Sequence, residues 1–222
     1  MADMTKIKSV KNATLFHDKH GNPLIRVDAV RLSYAFIGNP SEDENDDGGT
    51  TKRWRTNALL PKETHAAAHK LIEEEINKLI AAAPKVDGKP AKVPKDKWFI
   101  KDGDETEDEH QQDHWVISAA DPKNPPTARD RRGQQIIDRD EIDKMFYSGM
   151  WAHILIRPWY FGGKAKGSTK TFPKRVSAGL NGVLFYKDDT PFGMGRIDDS
   201  DAWGGAPEAE GGANGMDDDD EM

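Results

Sequence analysis

Apolar and polar residues alternate with a period of two over much of the chain, which predicts β-strands. Strands are predicted at residues 24–36, 52–60, 98–100, 114–119, 150–161 and 176–186. Residues 37–40, which include Gly and Pro, are predicted to start a loop. Strands of this number and length, joined by long loops, predict a mainly β chain built around a small, elaborated β-barrel.

The strand predicted at 52–60 has two chemically different faces. One face carries Trp54, Thr56, Ala58 and Leu60, and the other carries Arg53, Arg55, Asn57 and Leu59. We therefore expect one side of this strand to pack in the core and the other to present basic residues.

One long segment has helical periodicity instead. Its apolar residues form a single stripe made of Ala68, Leu71, Ile72, Ile76, Leu79 and Ile80. Pro61 suits a first helical position and Pro84 cannot continue a helix, so an inserted helix is predicted at about 61–82. The Pro- and Lys-rich segment at about 84–97 is predicted to be a flexible linker. A short second helix is predicted at 139–147.

Charge divides the chain into two parts of opposite sign. The whole chain has 39 acidic and 32 basic residues, and residues 198–222 contain ten of the acids with no Lys or Arg. Residues 1–197 therefore carry 29 acids against 32 bases, and eleven of those acids lie in two predicted loops, 42–47 and 102–109. The remaining scaffold is strongly cationic, as is usual for proteins that bind phosphate groups.

The acidic segment 198–222 combines low hydrophobicity with high charge and many glycines, so we predict a disordered tail after a folded domain of residues 1–197. A polyanion of this kind imitates a nucleic-acid backbone. It can compete for the cationic groove of its own domain or contact basic partners. Apolar residues within the polyanion favour docking over a purely solubilising role. The tail residues expected to interact are Trp203, Asp217, Asp218, Asp219, Asp220 and Glu221.

Two clusters, at 52–55 and 159–175, interleave basic and aromatic residues, and a third, at 129–132, is basic. Single-stranded nucleic acid needs cations along its phosphates and flat rings on which its bases stack. The candidate stacking residues are Tyr34, Trp54, Trp159, Tyr160 and Phe161. The candidate phosphate-binding residues are Lys52, Arg53, Arg55, Arg131, Arg132, Lys164, Lys166, Lys170, Lys174 and Arg175. Instead of stacking on bases, Trp54 could pack in the core. Instead of binding phosphates, the loop 162–174 could be a solvated turn.

Three patterns of catalytic or metal-binding type are incomplete. Ser168 stands where a phosphate-binding P-loop of the 162–169 type requires Lys, which argues against nucleotide hydrolysis. His65 and His69 have metal-ligand spacing without a third ligand, so we interpret them as surface histidines. The acids at 138–143 fit a helix start better than a nuclease metal site. The sequence predicts no catalytic site, no metal and no cofactor.

The chain contains no cysteine, which excludes disulfides and thiolate metal sites. No apolar run approaches the roughly 18 residues of a membrane span, and the N-terminus lacks the apolar region of a signal peptide. We therefore expect a soluble protein with no membrane partner.

Five sequences stand in a characteristic order: VRLSYAF (30–36), TNALLPK (56–62), FIKDGDE (99–105), FYSGMWAHILIRPWYF (146–161) and VSAGLNGVLFYKDDTPFG (176–193). Together they resemble a family of bacteriophage single-stranded DNA-binding proteins over residues 24–197. The pair YSGMW and AGLNGV is the most specific part of the resemblance. The resemblance to this family implies an OB-fold core, coating of single-stranded DNA (ssDNA) in phage replication and recombination, and an acidic C-terminal tail that contacts replication proteins.

We therefore expect a non-enzymatic protein that binds and protects ssDNA regardless of sequence during phage DNA replication, recombination and repair. Its expected partners are ssDNA and, through the tail, replication or recombination proteins. Its expected location is the cytoplasm of the infected bacterium. Self-association of the protein on DNA is a further possibility that the sequence does not decide. The alternatives are a strand-annealing or recombination mediator that uses the same groove, a metal-dependent phage nuclease, and an RNA-binding module on the same fold.

Overall fold

Ten strands and two α-helices make up the part of the chain that the computed structural model describes, residues 4–44, 49–85, 88–164 and 169–193. The strands are β1 (Thr5–Val10), β2 (Ala13–His17), β3 (Pro23–Glu44), β4 (Thr50–Pro61), β5 (Ile100–Asp102), β6 (His114–Asp121), β7 (Thr127–Arg129), β8 (Gln135–Ile136), β9 (Trp151–Phe161) and β10 (Arg175–Lys187). The helices are α1 (Lys62–Ala82) and α2 (Arg139–Met145).

Five of the strands close into a barrel in the order β3, β4, β6, β10 and β9. Neighbours are antiparallel except β6 and β10, which run parallel and meet at Ala119 and Ala178. The pairing of β9 with β3 completes the barrel, with Ile156 opposite Ile25. A five-stranded barrel of this kind is the architecture of the OB-fold. The predicted fold class is confirmed.

The inward-facing residues of the barrel form one hydrophobic core. Ile25 of β3, Ile117 of β6 and Ile154 of β9 have no exposed surface. The stripe predicted on α1 packs against the same core through Leu71, Ile72 and Ile76. Burial of each such side chain stabilises the fold by about 1.5–3 kcal/mol. The helix begins at Lys62, and Pro61 precedes it as the N-cap residue.

Strand β3 is 22 residues long and bends twice, which lets it pair with both β9 and β4. Ala29 and Tyr34, at the bends, have positive φ angles of 52° and 50°. The register of the ladders shifts at the same places, as expected for β-bulges at barrel corners.

The predicted loop at 37–40 is wrong, because these residues lie inside β3. Side chains from other elements hold their backbone. Asp143 of α2 accepts a hydrogen bond from the Gly38 N–H at 2.7 Å, and the Trp54 indole donates to the Gly38 carbonyl at 3.1 Å. Glu42 to Glu44, also predicted to be in a loop, are the last residues of the same strand.

Two hairpins were not predicted from the sequence. β1 and β2 extend the sheet beyond β3, and β7 and β8 pair beside β10. Nearly all of β1 is exposed, so its sequence carries no alternation of buried and exposed residues. β7 and β8 are only three and two residues long, too short for a periodic signal.

The second half of the predicted flexible linker packs against the domain. Ala91 and Val93 are buried, and the Trp98 indole donates to the Val93 carbonyl at 3.2 Å. The strand predicted at 98–100 begins only at Ile100.

The chain divides into a compact unit, Met1–Phe192, and a second unit, Gly193–Met222. The predicted tail, with its proposed contacts at Trp203, Asp217, Asp218, Asp219, Asp220 and Glu221, lies outside the described residues. In the described part of the chain, no helix is long and apolar enough to cross a membrane.

Candidate nucleic-acid interface

A groove of about 970 Å³ runs over the outer face of the barrel where β4, β6 and the start of β10 meet. Among the residues that the structure describes, five basic side chains and one carboxylate, Asp96, line it. The basic residues are Arg53, Arg55, Lys97, Lys101 and Arg175. In OB-folds the face of the second and third barrel strands binds oligonucleotides, and here those strands are β4 and β6.

Strand β4 supplies the middle of the groove through the face that the sequence predicts to be basic. Arg53, Arg55 and Asn57 line the groove, while Ala58 and Leu60 of the opposite face have no exposed surface. The Asn57 Oδ1 accepts a hydrogen bond from the Ser118 hydroxyl of β6 at 3.0 Å. This bond positions the amide of Asn57, whose NH₂ group is a donor.

Strand β9 supplies aromatic residues at the edge of the groove. Trp159 is 41% exposed and lines the groove, and its ring meets the Phe161 ring edge-on at 6.1 Å between centroids. Tyr160, on the other face of the strand, packs partly buried against the core. Of the three candidate rings on β9, Trp159 is therefore the one that is exposed at the groove.

Arg175 begins β10 directly opposite Phe161. Its guanidinium carbon lies 4.4 Å from the centre of the Phe161 ring, and its Nε donates to the Ser177 hydroxyl at 3.3 Å. A cation in this position over a ring is stabilised by the ring quadrupole. The guanidinium is thereby held at the groove wall with donors still available for a phosphate.

The loop between β9 and β10 carries the other predicted lysines. Lys164, Lys170 and Lys174 lie in its described parts, and Lys166 lies outside the described residues. None of these three lysines is among the groove-lining residues. The loop is held at its base by the Phe172 N–H, which donates to the Gly163 carbonyl at 2.7 Å. Phe172 is 42% exposed and lies 6.5 Å from Phe161, so it adds a ring that the sequence reasoning missed.

Tyr34 is not among the groove-lining residues but lines a second cavity. It is 55% exposed at a bend of β3, and it lines a smaller cavity of about 240 Å³ with Arg55, Thr56 and Asn57. Because Arg55 and Asn57 line both cavities, the two form adjacent parts of one surface.

The structure does not bring every candidate to this groove. Trp54 is half-buried on the other face of β4, with its indole bonded to Gly38, in agreement with its alternative as a packing residue. Lys52 pairs with Glu42 at 2.5 Å. Arg131 pairs with Asp188 and lies over Phe185, near the opposite end of β10 from Arg175, and Arg132 is its neighbour. Binding roles for these residues stay predictions.

Lys97, Lys101 and Ser118 line the groove but were not among the candidates. Lys97 pairs with Asp96 at 3.0 Å, and Lys101 lies on β5, next to β6. The alternation around β6 could have indicated that Ser118 faces outwards, between the buried Ile117 and Ala119. No local sequence pattern indicates that Lys97 lines the same groove as Arg175.

Two carboxylates of the second acidic segment, 102–109, are paired with Lys62. The Lys62 Nζ contacts Asp102 at 2.5 Å and Asp104 at 2.6 Å. Hydrogen bonds from Lys62 lower the pKa of both carboxyl groups, and the same bonds raise the pKa of Lys62. Asp108 caps a 3₁₀ turn by accepting from the His110 N–H.

No group of three or more His, Asp or Glu side chains within the described ranges could hold a metal ion. Two of the acids at 138–143 have structural roles: Asp138 caps α2 by accepting from the Glu141 N–H, and Asp143 accepts from the backbone of β3. The interpretation of His65 as a surface residue is wrong. It is 1% exposed, its Nε2–H donates to the Asp28 carbonyl at 2.8 Å, and burial lowers its pKa.

Over residues 24–222 the chain matches a family model described as Enterobacter phage Enc34, ssDNA-binding protein. The chain belongs to this family. The match leaves out the first 23 residues, which include the β1–β2 hairpin.

Solved structures agree with this assignment. The ssDNA-binding protein from bacteriophage Enc34 is 33% identical, with a TM-score of 0.70, and the match covers 90% of this chain and 99% of that one. The Enc34 protein in complex with ssDNA is 33% identical, with a TM-score of 0.72 over 86% of this chain and 99% of that one. A C-terminal truncation of it is 31% identical, with a TM-score of 0.70 over 86% and 98% of the two chains. No match is found among curated proteins.

Proposed function

We propose that this chain binds ssDNA without sequence preference in the groove of β4, β6 and β10, and protects it during phage DNA replication, recombination and repair. The observation that carries this proposal is the convergence of Arg53, Arg55 and Arg175 with the exposed Trp159 around one groove. This groove lies on the oligonucleotide-binding face of an OB-fold. Membership of the Enc34 family supports the same ligand.

The two ligand parts would meet different side chains. Phosphates would lie along the arginines and lysines, and unpaired bases would stack on Trp159 and, past Arg55, on Tyr34. Stacking accepts every base because every base has a π-face, so this arrangement gives affinity without reading sequence. Phosphate contacts release counterions, so binding would weaken steeply as salt is added.

The proposed role is one of binding rather than catalysis. The groove-lining polar residues are cations, amide and hydroxyl groups with one carboxylate, Asp96, which is paired with Lys97. Such a set supports charge neutralisation of a phosphate backbone. We place this activity in the cytoplasm of the infected bacterium.

For the acidic tail we propose two linked roles. It would occupy the cationic groove when DNA is absent, and it would contact replication or recombination proteins when DNA displaces it. The support is electrostatic: ten acids lie in residues 198–222, and the groove is lined by five bases and one acid.

The experiment is a titration of fluorescent oligo-dT at several salt concentrations, with the full chain and with a variant ending at Ile197. We expect the full chain to bind oligo-dT tightly and to lose affinity as salt rises. Removal of the tail should tighten oligo-dT binding and make it less responsive to salt. Absence of salt-dependent binding in both forms would contradict ssDNA binding. Equal affinity of the two forms at every salt concentration would contradict competition by the tail alone. An RNA of the same sequence, added as competitor, separates ssDNA binding from RNA binding.

A further inference from the structure

Asp43, near the end of β3, faces the two arginines at the centre of the groove. Its Oδ2 lies 3.5 Å from the Nε of Arg53, and its Oδ1 lies 3.4 Å from an Nη of Arg55. One carboxylate therefore bridges two guanidinium groups that follow each other on the groove face of β4.

The register of the β3–β4 hairpin fixes this geometry. Ser41 pairs with Arg53 and Asp43 pairs with Thr51, so Asp43 shares a face with Thr51, Arg53 and Arg55. Thr51, Arg53 and Arg55 line the groove. Glu42 points to the other face, where it pairs with Lys52 at 2.5 Å. Neither Glu42 nor Lys52 lines the groove.

The bridge leaves donors of both arginines unused. The Nε atoms of Arg53 and Arg55 are buried and make no hydrogen bond within the described part of the chain. A buried donor without an acceptor costs about 1–3 kcal/mol, and a polar ligand that supplies the acceptor recovers that cost. Asp43 thus provides the right charge to the arginines without completing their hydrogen bonds.

A backbone phosphate fits the same place better than this carboxylate does. Its two non-bridging oxygens share the negative charge, and a planar guanidinium group can bind both of them in bidentate fashion. The contacts of 3.4 and 3.5 Å to Asp43 are longer than the 2.7–2.9 Å typical of charge-assisted hydrogen bonds, so a phosphate can approach more closely.

We propose that Arg53 and Arg55 form a single phosphate subsite, and that Asp43 occupies this subsite in the free protein and must leave it when ssDNA binds. This inference rests on the proposed ssDNA-binding function and adds a competitor that belongs to the domain itself. Asp43 offsets the mutual repulsion of the two guanidinium groups, and it lowers the affinity of the subsite for a phosphate.

The test compares oligo-dT affinity across a salt series for the wild type, Asp43→Asn and Glu42→Gln. Asp43→Asn keeps the shape of the side chain and removes the competing charge. We therefore expect oligo-dT to bind about three- to tenfold more tightly at low salt, which corresponds to the loss of two partly exposed ion pairs, one with each arginine. The dependence of log affinity on log salt should steepen by up to about 0.7, one phosphate equivalent for a single strand. Glu42→Gln changes the net charge equally but outside the groove, and should stay within about twofold of the wild type.

Two further variants make the test specific. Asp43→Asn added to Arg53→Gln/Arg55→Gln should give no gain, because the subsite is gone. Asp43→Asn added to the variant ending at Ile197 should still give its gain, because Asp43 acts without the tail. Asp43→Ser serves as a second neutral variant, and thermal unfolding verifies that each protein is folded.

The outcomes separate the inference from the proposed function. Salt-dependent binding by the wild type with an unchanged or weaker Asp43→Asn overturns the subsite while ssDNA binding stands. Equal gains from Asp43→Asn and Glu42→Gln, or a gain that persists without the two arginines, also overturn it. A wild type that does not bind oligo-dT overturns both.

Discussion

Arg175 lies over the ring of Phe161, with its guanidinium carbon 4.4 Å from the ring centre. The two residues face each other across the β9–β10 ladder, so the pair links the first residue of one barrel strand to the last of its neighbour. It therefore holds a cation at the mouth of the β9–β10 loop, beside Trp159. A charge in this fixed position needs little further ordering when it meets a phosphate, which favours binding.

Replacing Arg175 tests this positioned charge. Arg175→Ala should weaken oligo-dT binding by about tenfold, the size of one charge-assisted hydrogen bond, and reduce the salt slope by about 0.7. Arg175→Lys should keep the slope but recover only part of the affinity, because Lys lacks the planar, two-pronged donor group. The control is Lys70→Ala, on the exposed side of α1. A loss equal to that of the control would contradict the assignment.

Trp159 is the exposed ring of the groove, and its replacement tests base stacking. Trp159→Ala should cost about 1–3 kcal/mol of binding free energy, or roughly five- to 150-fold in affinity. Trp159→Phe should keep most of the affinity while reducing the quench of tryptophan fluorescence on addition of oligo-dT. Tyr186→Ala removes a ring that is 49% exposed on β10 outside the groove, and should leave affinity unchanged. Stacking at Trp159 is wrong if both alanine variants bind alike.

Adjacent glycines at the base of the β9–β10 loop offer a matched pair. Gly163 has a φ of +92°, and a Cβ there would lie 2.7 Å from the Phe172 carbonyl oxygen. A Cβ on Gly162 would meet only Tyr160, at 3.6 Å, an ordinary contact. Gly163→Ala should therefore lower the free energy of unfolding by about 1–2 kcal/mol or more, and Gly162→Ala much less.

Denaturant unfolding of the two variants measures this difference, and oligo-dT titration measures its effect on binding. Because the loop base adjoins Phe161 and Phe172, we expect Gly163→Ala also to weaken binding. Identical unfolding curves for the two variants would show that the loop base is not held as the structure describes.

The alternation along β4 predicted the three polar groove residues of its basic face, although Leu59 of that face is buried and Thr56 of the other face also lines the groove. Arg53, Arg55 and Asn57 differ from their neighbours in polarity, and in a strand a period of two translates directly into a face. These predictions succeeded because they depend only on local geometry.

The features that the sequence did not predict depend on contacts between distant segments. The strand continues through Gly38, whose N–H donates to Asp143 of α2, and a Cβ there would lie 2.3 Å from the Arg139 carbonyl oxygen. Lys97 reaches the groove only because the segment from Ala91 to Trp98 folds back on the core. Neither contact leaves a periodic pattern in the sequence.

His65 shows an error that its own spacing could have prevented. It precedes Ala68 by three positions and Ile72 by seven, so it lies on the apolar stripe of α1 rather than on the exposed face. The residue was interpreted through its spacing to His69, although its position relative to the stripe was the stronger signal. His69 in turn stacks on Trp115, with ring centroids 4.2 Å apart.

The burial of His65 predicts how stability depends on pH. Burial lowers its pKa below the ordinary value of 6.5, and the carbonyl of Asp28 fixes the neutral ring with its proton on Nε2. As pH falls below about 6.5, the unfolded chain takes up a proton that the folded chain does not, so the free energy of unfolding decreases. Burial lowers the pKa of His69 as well, so it contributes in the same direction.

Thermal unfolding between pH 7.5 and pH 5 measures this effect. The wild type should lose stability progressively over this range, and His65→Gln, which keeps a donor for Asp28, should lose less. His20→Gln, at an exposed position, is the matched control and should follow the wild type. The carboxyl groups with lowered pKa, such as Asp28, lose their stabilising effect only near and below pH 4, outside this range. A pH dependence identical in the wild type and His65→Gln would show that the buried imidazole is not the group responsible.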